Sequence, residues 1–187
     1  DYLADHENLT GQMIYTRALA EDTDNGVVFA VPHLCSAQLI MGNYEYIPSD
    51  DGNSGEKDKL MTKNTTEEFR TYLEKINEQY PNIAGLAYGY EMIPYLGSAF
   101  NKDIPTSYMV FDEYQTDADS ARTVIDASSS YVRSLYSDSL AVDKVEGADP
   151  VYSRVAALWV DSSANIVEWS KYYPGSLYLL HLPCNDV

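Results

Sequence analysis

The sequence predicts an α+β domain, an antiparallel sheet of roughly five to seven strands with two amphipathic helices packed on one face. Three observations lead there. Short β-branched and aromatic runs, such as 27–31 (VVFAV) and 176–182 (SLYLLHL), recur between clusters of Gly, Pro, Asn and Asp. Two longer stretches, 65–79 and 117–140, carry apolar residues at helical spacing. The order of the pieces is three strands, a helix, one or two strands, a helix and three strands, which suits an antiparallel sheet with helices segregated to one side. A length of 187 residues holds this in a single domain, 1–187.

Taken in order, residues 12–20 read as a strand containing Met13, Ile14 and Tyr15. Residues 21–26 (EDTDNG) form a polar turn ending in Asn-Gly, a pair suited to positive φ, and 27–31 return as a buried strand to complete a hairpin. A third strand over 38–47 stops at Pro48, and 49–59 (SDDGNSGEKDK) is a surface loop. Neither Asp50, Asp51 and Asn53 nor Asp22 and Asp24 match the ligand spacing of a calcium loop. The clearest helix spans 65–79. Thr65 and Glu68 make a capping box, Phe69, Tyr72, Leu73 and Ile76 form one apolar stripe, and Pro81 ends it. The Gly- and Pro-rich run 83–99 reads as a strand over 83–90 followed by a loop, and 107–114 (SYMVFDEY) as another strand. The second helix, 117–140, places Ala121, Val124, Ile125, Val132, Leu135, Tyr136 and Leu140 on one face, with the serines at 128–130 weakening its middle. Residues 155–160 and 166–170 flank a compact turn at 161–165 and read as a hairpin, and 176–182 is the last strand.

The stretch 156–169 (AALWVDSSANIVEW) resembles the paired central strands of PAS-like extracytoplasmic sensor domains. That likeness implies a PAS-like or sandwich-like layering. The long opening helix usual in those sensors has no counterpart here.

Charge narrows the function. Against 29 Asp and Glu stand 12 Lys and Arg, a net charge of -17. Such a chain is repelled by phosphate backbones, so no nucleic-acid partner is expected. No apolar run approaches the roughly 18 residues that span a bilayer, so no membrane insertion is expected either. The chain opens at Asp1 without the basic-then-apolar start of a signal peptide, as a processed or excised chain does. Acidity, two sequons (Asn8 and Asn64) and a pair of cysteines agree on a secreted, extracellular or extracytoplasmic glycoprotein.

The two cysteines stand in echoing contexts, Pro32-His33-Leu34-Cys35 and His181-Leu182-Pro183-Cys184. A disulfide between Cys35 and Cys184 is the preferred reading. It would close a loop of roughly 150 residues and contribute about 4–5 kcal/mol in the chain-entropy model. Two separate buried thiols come next, then a zinc site with His33 and His181, then a catalytic Cys–His pair. The His-x-Cys and His-x-x-Cys spacings are unusual for zinc, so no metal is expected.

Catalytic signatures are missing. The sequence contains no Gly-x-Ser-x-Gly elbow, no dinucleotide or P-loop glycine pattern and no His-Glu-x-x-His, and no cofactor or catalytic residue is expected. Carboxylates in apolar surroundings, Glu45, Glu91 and Asp112-Glu113, are the best acids for a glycan hydrolase, because desolvation raises a carboxyl pKa. The compositional signal is instead tyrosine, 17 Tyr against 4 Phe. Tyr joins contact area to a hydrogen-bonding tip at low entropy cost, which suits recognition. Clusters occur at Tyr44/Tyr46, Tyr88/Tyr90/Tyr95 and Tyr172/Tyr173/Tyr178. The second, with Glu91, is the expected ligand-binding group (Tyr88, Tyr90, Glu91, Tyr95). The expected function is a non-catalytic recognition domain, sensor or secreted effector, binding a small molecule, glycan or protein. A carboxylate-dependent secreted hydrolase and a self-assembling subunit of a surface layer or filament are the alternatives.

Overall fold

The computed structural model describes residues 21–22, 27–28, 37–48, 64–101, 118–143 and 148–184. The chain divides into two compact units, residues 1–37 and 38–187, each taken by itself. In the first, strands β1 (Glu21–Asp22) and β2 (Val27–Val28) pair antiparallel, with Glu21 opposite Val28 and Asp22 opposite Val27. The ladder therefore starts inside the run read as a turn. The expected strands 12–20 and 107–114 and the loop 49–59 lie outside the described residues.

The second unit is built on a five-stranded sheet of β3 (Gln38–Asn43), β4 (Ala84–Ala87), β5 (Ala141–Val142), β6 (Ala156–Ser162) and β7 (Leu177–Leu180), in the order β5-β4-β6-β3-β7. The sheet is mixed rather than antiparallel: β4 runs parallel to both β5 and β6, while β3 is antiparallel to β6 and β7. This corrects the expected α+β class to α/β. The physical reason is the connection between β4 and β5. It carries helix α3 (Ala118–Ser137), and a crossover through a helix returns the chain parallel, whereas a tight turn would return it antiparallel.

Register sorts the side chains onto two faces. Ile40 lies opposite Val160 and Leu180, and Leu86 opposite Leu158; these enter one core. Met41 lies opposite Trp159, which is also opposite Ala87, and these enter the other. Helix α1 (Thr66–Gln79) covers the first face with Phe69, Tyr72, Leu73 and Ile76, all buried, as its apolar stripe predicts. Its capping box forms: the Thr65 hydroxyl accepts from the Glu68 amide at 3.2 Å and the Glu68 carboxylate from the Thr65 amide at 2.9 Å. Helix α3 packs beside it through Val132 and Leu135 and runs unbroken through the serines at 128–130. The two helices are tied together. Arg70 donates to Ser134 Oγ at 3.1 Å and to Asp138, and the Tyr131 hydroxyl donates to the Thr66 carbonyl at 2.8 Å.

Three expected elements change. The strand 38–47 ends at Asn43, whose buried side chain accepts from the Glu45 amide at 3.2 Å and turns the chain into a single helical turn, Tyr44–Tyr46. The strand 83–90 ends at Ala87, because Tyr88 is left-handed (φ 60°, ψ 35°); tight turns over Gly89–Tyr95 and a short helix α2 (Gly97–Phe100) follow. The hairpin 155–170 does not exist. Its second arm is helix α4 (Ile166–Tyr172), so the PAS-like strand pair is absent. The run read as a turn is a helix start: Ser162 Oγ accepts from the Ala164 amide at 3.3 Å, and Asp161 Oδ1 from the Ser162 amide at 2.7 Å and Asn165 Nδ2 at 2.8 Å. Helix α4 covers the second face, so the sheet is sandwiched between helices.

Gly85 shows how closely β4 approaches its neighbour. A Cβ there would stand 2.9 Å from the Leu140 carbonyl oxygen, which accepts the Leu86 amide at 3.0 Å. Gly85→Ala is expected to push β5 off the sheet edge and cost about 1–3 kcal/mol, read as a lowered midpoint in urea unfolding.

Candidate functional site

The second face carries the aromatic residues. Trp159, wholly buried on β6, stacks on Tyr173 (4.9 Å between centroids, 29°) and meets Trp169 of α4 edge-on at 5.3 Å. Ile166, Trp169 and Tyr173 follow at i, i+3 and i+7, so one side of α4 lies on the sheet. The segment 148–155, which leads into β6, crosses this same face with Val151 buried. From these two elements an aromatic surface emerges into solvent. The rings of Tyr152 and Trp169 lie 4.9 Å apart, those of Tyr152 and Tyr172 5.0 Å apart at 85°. Tyr152 is 47% and Tyr172 45% exposed, above a Trp169 that is only 5% exposed.

Carboxylates edge and anchor this surface. Asp149 Oδ1 accepts from the amides of Val151 at 3.0 Å and Tyr152 at 3.1 Å, and from the Tyr88 hydroxyl at 2.5 Å. That triple acceptor fixes the turn from which Tyr152 projects. The Trp169 indole N–H donates to Asp161 Oδ2, which sets the other ring. The Tyr152 hydroxyl reaches Glu168 at 3.4 Å. Arg154, also left-handed (φ 57°), donates to the Tyr172 carbonyl and lies 5.3 Å from the centre of the Tyr173 ring. The Tyr173 hydroxyl donates to the Val151 carbonyl, joining α4 to the 148–155 segment.

The four residues expected to bind ligand do not stay together. Tyr88 turns to the α4 face and holds Asp149. Tyr90, 44% exposed, stacks on Tyr136 of α3 at 4.3 Å and 14°, and the Tyr136 hydroxyl donates to Asp143 at 2.7 Å. Glu91 is exposed and Tyr95 is half-buried against the α1–α3 core. The cluster Tyr172/Tyr173/Tyr178 also divides, since Tyr178 enters the core of the first face. Glu45 is exposed like Glu91, and Asp112-Glu113 lies outside the described residues. Cys184 is buried and its amide donates to the Asn64 carbonyl at 2.7 Å; Cys35 lies outside the described residues. Asn64 is 2% exposed, and Asn8 lies outside the described residues. Among the described residues no group of three or more His, Cys, Asp and Glu converges as a metal site requires, and no helix is long and apolar enough to cross a membrane.

Sequence reasoning missed Tyr152, Asp149, Asp161, Glu168 and Trp169. One signal was present: Ile166, Trp169 and Tyr173 keep helical spacing, which marks Trp169 as a residue of a helix on the sheet.

No protein-family model matches the chain, and no curated protein is similar to it in sequence. Solved structures are similar to it in fold. A probable secreted solute-binding lipoprotein from Streptomyces coelicolor superposes with a TM-score of 0.65 at 16% identity, over 100% of this chain and 47% of its own. The fold resembles one lobe of a periplasmic binding protein. The GacH receptor of Streptomyces glaucescens, solved unliganded and with acarbose, gives 0.53 at 19% identity over 91% and 43%. An extracellular solute-binding protein from Staphylococcus aureus, solved with maltose, gives 0.55 at 12% over 90% and 43%. The chain thus spans less than half the length of these proteins.

Two outcomes follow from the solute-binding-like lobe as built. Tyr88→Phe removes the hydroxyl from a charged acceptor and is expected to cost about 1.5–3 kcal/mol, seen in denaturant unfolding, and to raise hydrogen exchange at the Val151 and Tyr152 amides. The second concerns alkaline pH. Burial raises the phenols of Tyr72, Tyr88, Tyr131 and Tyr136 above their ordinary 10.0 and pushes Tyr173 up to about 12. A phenol raised on folding stabilises the folded chain fully below pH 10.0, and this is lost as pH climbs through the folded-state values. Stability is expected to hold to the ordinary phenol pKa and fall above it, with buried tyrosinate absorbance rising together with the loss of near-ultraviolet circular dichroism.

Proposed function

We propose that this chain is the ligand-binding part of a secreted, non-catalytic solute-binding protein, and that it takes a saccharide on the surface formed by Tyr152, Trp169 and Tyr172. The observation that carries the reading is this aromatic surface with its fixed carboxylate rim. Exposed rings offer faces to the apolar side of a pyranose, and Glu168 and the tyrosine hydroxyls offer partners to sugar hydroxyls. The fold supports the same reading, because the structures it resembles include proteins solved with acarbose and maltose. An extracellular location fits both the neighbours and the chain's acidity.

Isothermal titration of the chain with a panel of neutral oligosaccharides, followed by tryptophan fluorescence, tests this. Saturable binding with a fluorescence change from Trp169 is expected. Tyr152→Ala and Tyr172→Ala, each truncating an exposed ring, should weaken it about tenfold with little change in melting temperature. Binding indifferent to both substitutions would move the site elsewhere, and a panel with no saccharide ligand would sink the reading.

A further inference from the structure

From the charges around this surface we infer that its ligand presents a cationic ammonium group, as an amino sugar does; the inference rests on the saccharide reading and narrows it. The rings of Tyr152 and Tyr172 stand at 85°, so the two exposed aromatics form a corner rather than a flat wall. An aromatic face carries the negative lobe of the ring quadrupole and attracts an ammonium placed over it. Glu168, four residues before Tyr172, is exposed and shares the side of α4 that Tyr172 occupies. It already meets the Tyr152 hydroxyl at 3.4 Å, so its carboxylate stands beside the polar tip of one of the two rings.

The remaining charges agree. Asp149 and Asp161 are tied to the same group of residues, held by Tyr88 and Trp169. Arg154 is one cation of this group, and it is engaged by the Tyr172 carbonyl and the Tyr173 ring. Lys171, three positions after Glu168, is its exposed neighbour on α4. Three carboxylates (Asp149, Asp161 and Glu168) against two cations (Arg154 and Lys171) leave the group negative by one charge, within a chain of net charge -17. Such a field concentrates cations and repels uronic or phosphorylated sugars.

Three trisaccharides of matched size decide it: a glucosamine trimer below its amine pKa, its N-acetylated counterpart, and a galacturonic acid trimer, titrated at low and high salt. The glucosamine trimer is expected to bind about tenfold more tightly than the acetylated one, with the ratio shrinking as salt rises. Glu168→Gln should collapse that ratio, and Glu78→Gln on α1, equally exposed but on the opposite face of the sheet, should leave it. Equal binding of the two neutral and cationic trimers, binding of the galacturonic acid trimer, or an equal effect of Glu78→Gln would overturn the ammonium inference while leaving the saccharide reading standing. Choline binding without any saccharide would keep the cation and overturn the sugar. Failure of every probe overturns both.

Discussion

Everything on the second unit hangs on the register of β6. This strand is the seam of the sheet, parallel to β4 on one side and antiparallel to β3 on the other. Residues 156–160 are all buried, so both faces are committed to a core. With Val160 opposite Ile40 and Trp159 opposite Met41, the aliphatic residues meet α1 and α3, and the tryptophan meets α4. A slip of one residue would carry Trp159 into the α1–α3 core and Leu158 and Val160 under α4. No aromatic floor would then lie beneath Tyr152 and Tyr172. Gly42 lets β3 and β6 approach closely here: a Cβ would stand 2.7 Å from Leu158 Cδ2 and 3.2 Å from the Ala157 carbonyl oxygen, so a side chain at 42 would make Leu158 shift.

What could be read from the residues follows from where the determining interactions lie. Helix α1 was legible from its cap to its core stripe, because a capping box and a 3.6-residue apolar period act within a few residues of sequence. The tight turn at the end of β3 also has a local cause, the Asn43 side chain, but nothing in the tripeptide Tyr44–Tyr46 separates it from continued strand. The parallel pairing of β4 was not legible. It depends on strands far apart in the chain meeting side by side, and a short apolar strand reads alike in either sense. The misreading of 166–170 is of a third kind. Trp and β-branched residues favour strands, but Asp161 and Ser162 satisfy the first amides of a helix, and burial of Trp169 and Tyr173 rewards the helical period.

The same reasoning explains the fate of the expected ligand-binding tyrosines. Proximity in sequence placed Tyr88, Tyr90 and Tyr95 together. The left-handed Tyr88 and the 3-10 helix Gly89–Tyr95 then sent their rings to different sides of the sheet. The surface that does assemble draws Tyr152 from before β6 and Trp169 and Tyr172 from after it. These are joined through Asp149 and Asp161, two ordinary acids among 29. Carboxylates that act by accepting several donors in fixed directions have no signature in a sequence; only their partners identify them.

Backbone geometry holds the proposed surface in place. Three non-glycine residues among those described have positive φ, and two of them, Tyr88 and Arg154, serve it. Each left-handed residue costs of order 1–3 kcal/mol and persists only where its surroundings hold it. Tyr88 is held by Asp149, and Arg154 by the Tyr172 carbonyl and the Tyr173 ring. In return, the strained residues lock the 148–155 segment onto the end of α4. The rings of Tyr152 and Tyr172 are thereby ordered before any ligand arrives. A surface ordered in advance loses little conformational entropy on binding, so weak individual contacts to a flexible, hydrated ligand retain more of their strength. Strain carried by Tyr88 and Arg154 in the resting fold thus becomes preorganisation at the aromatic corner.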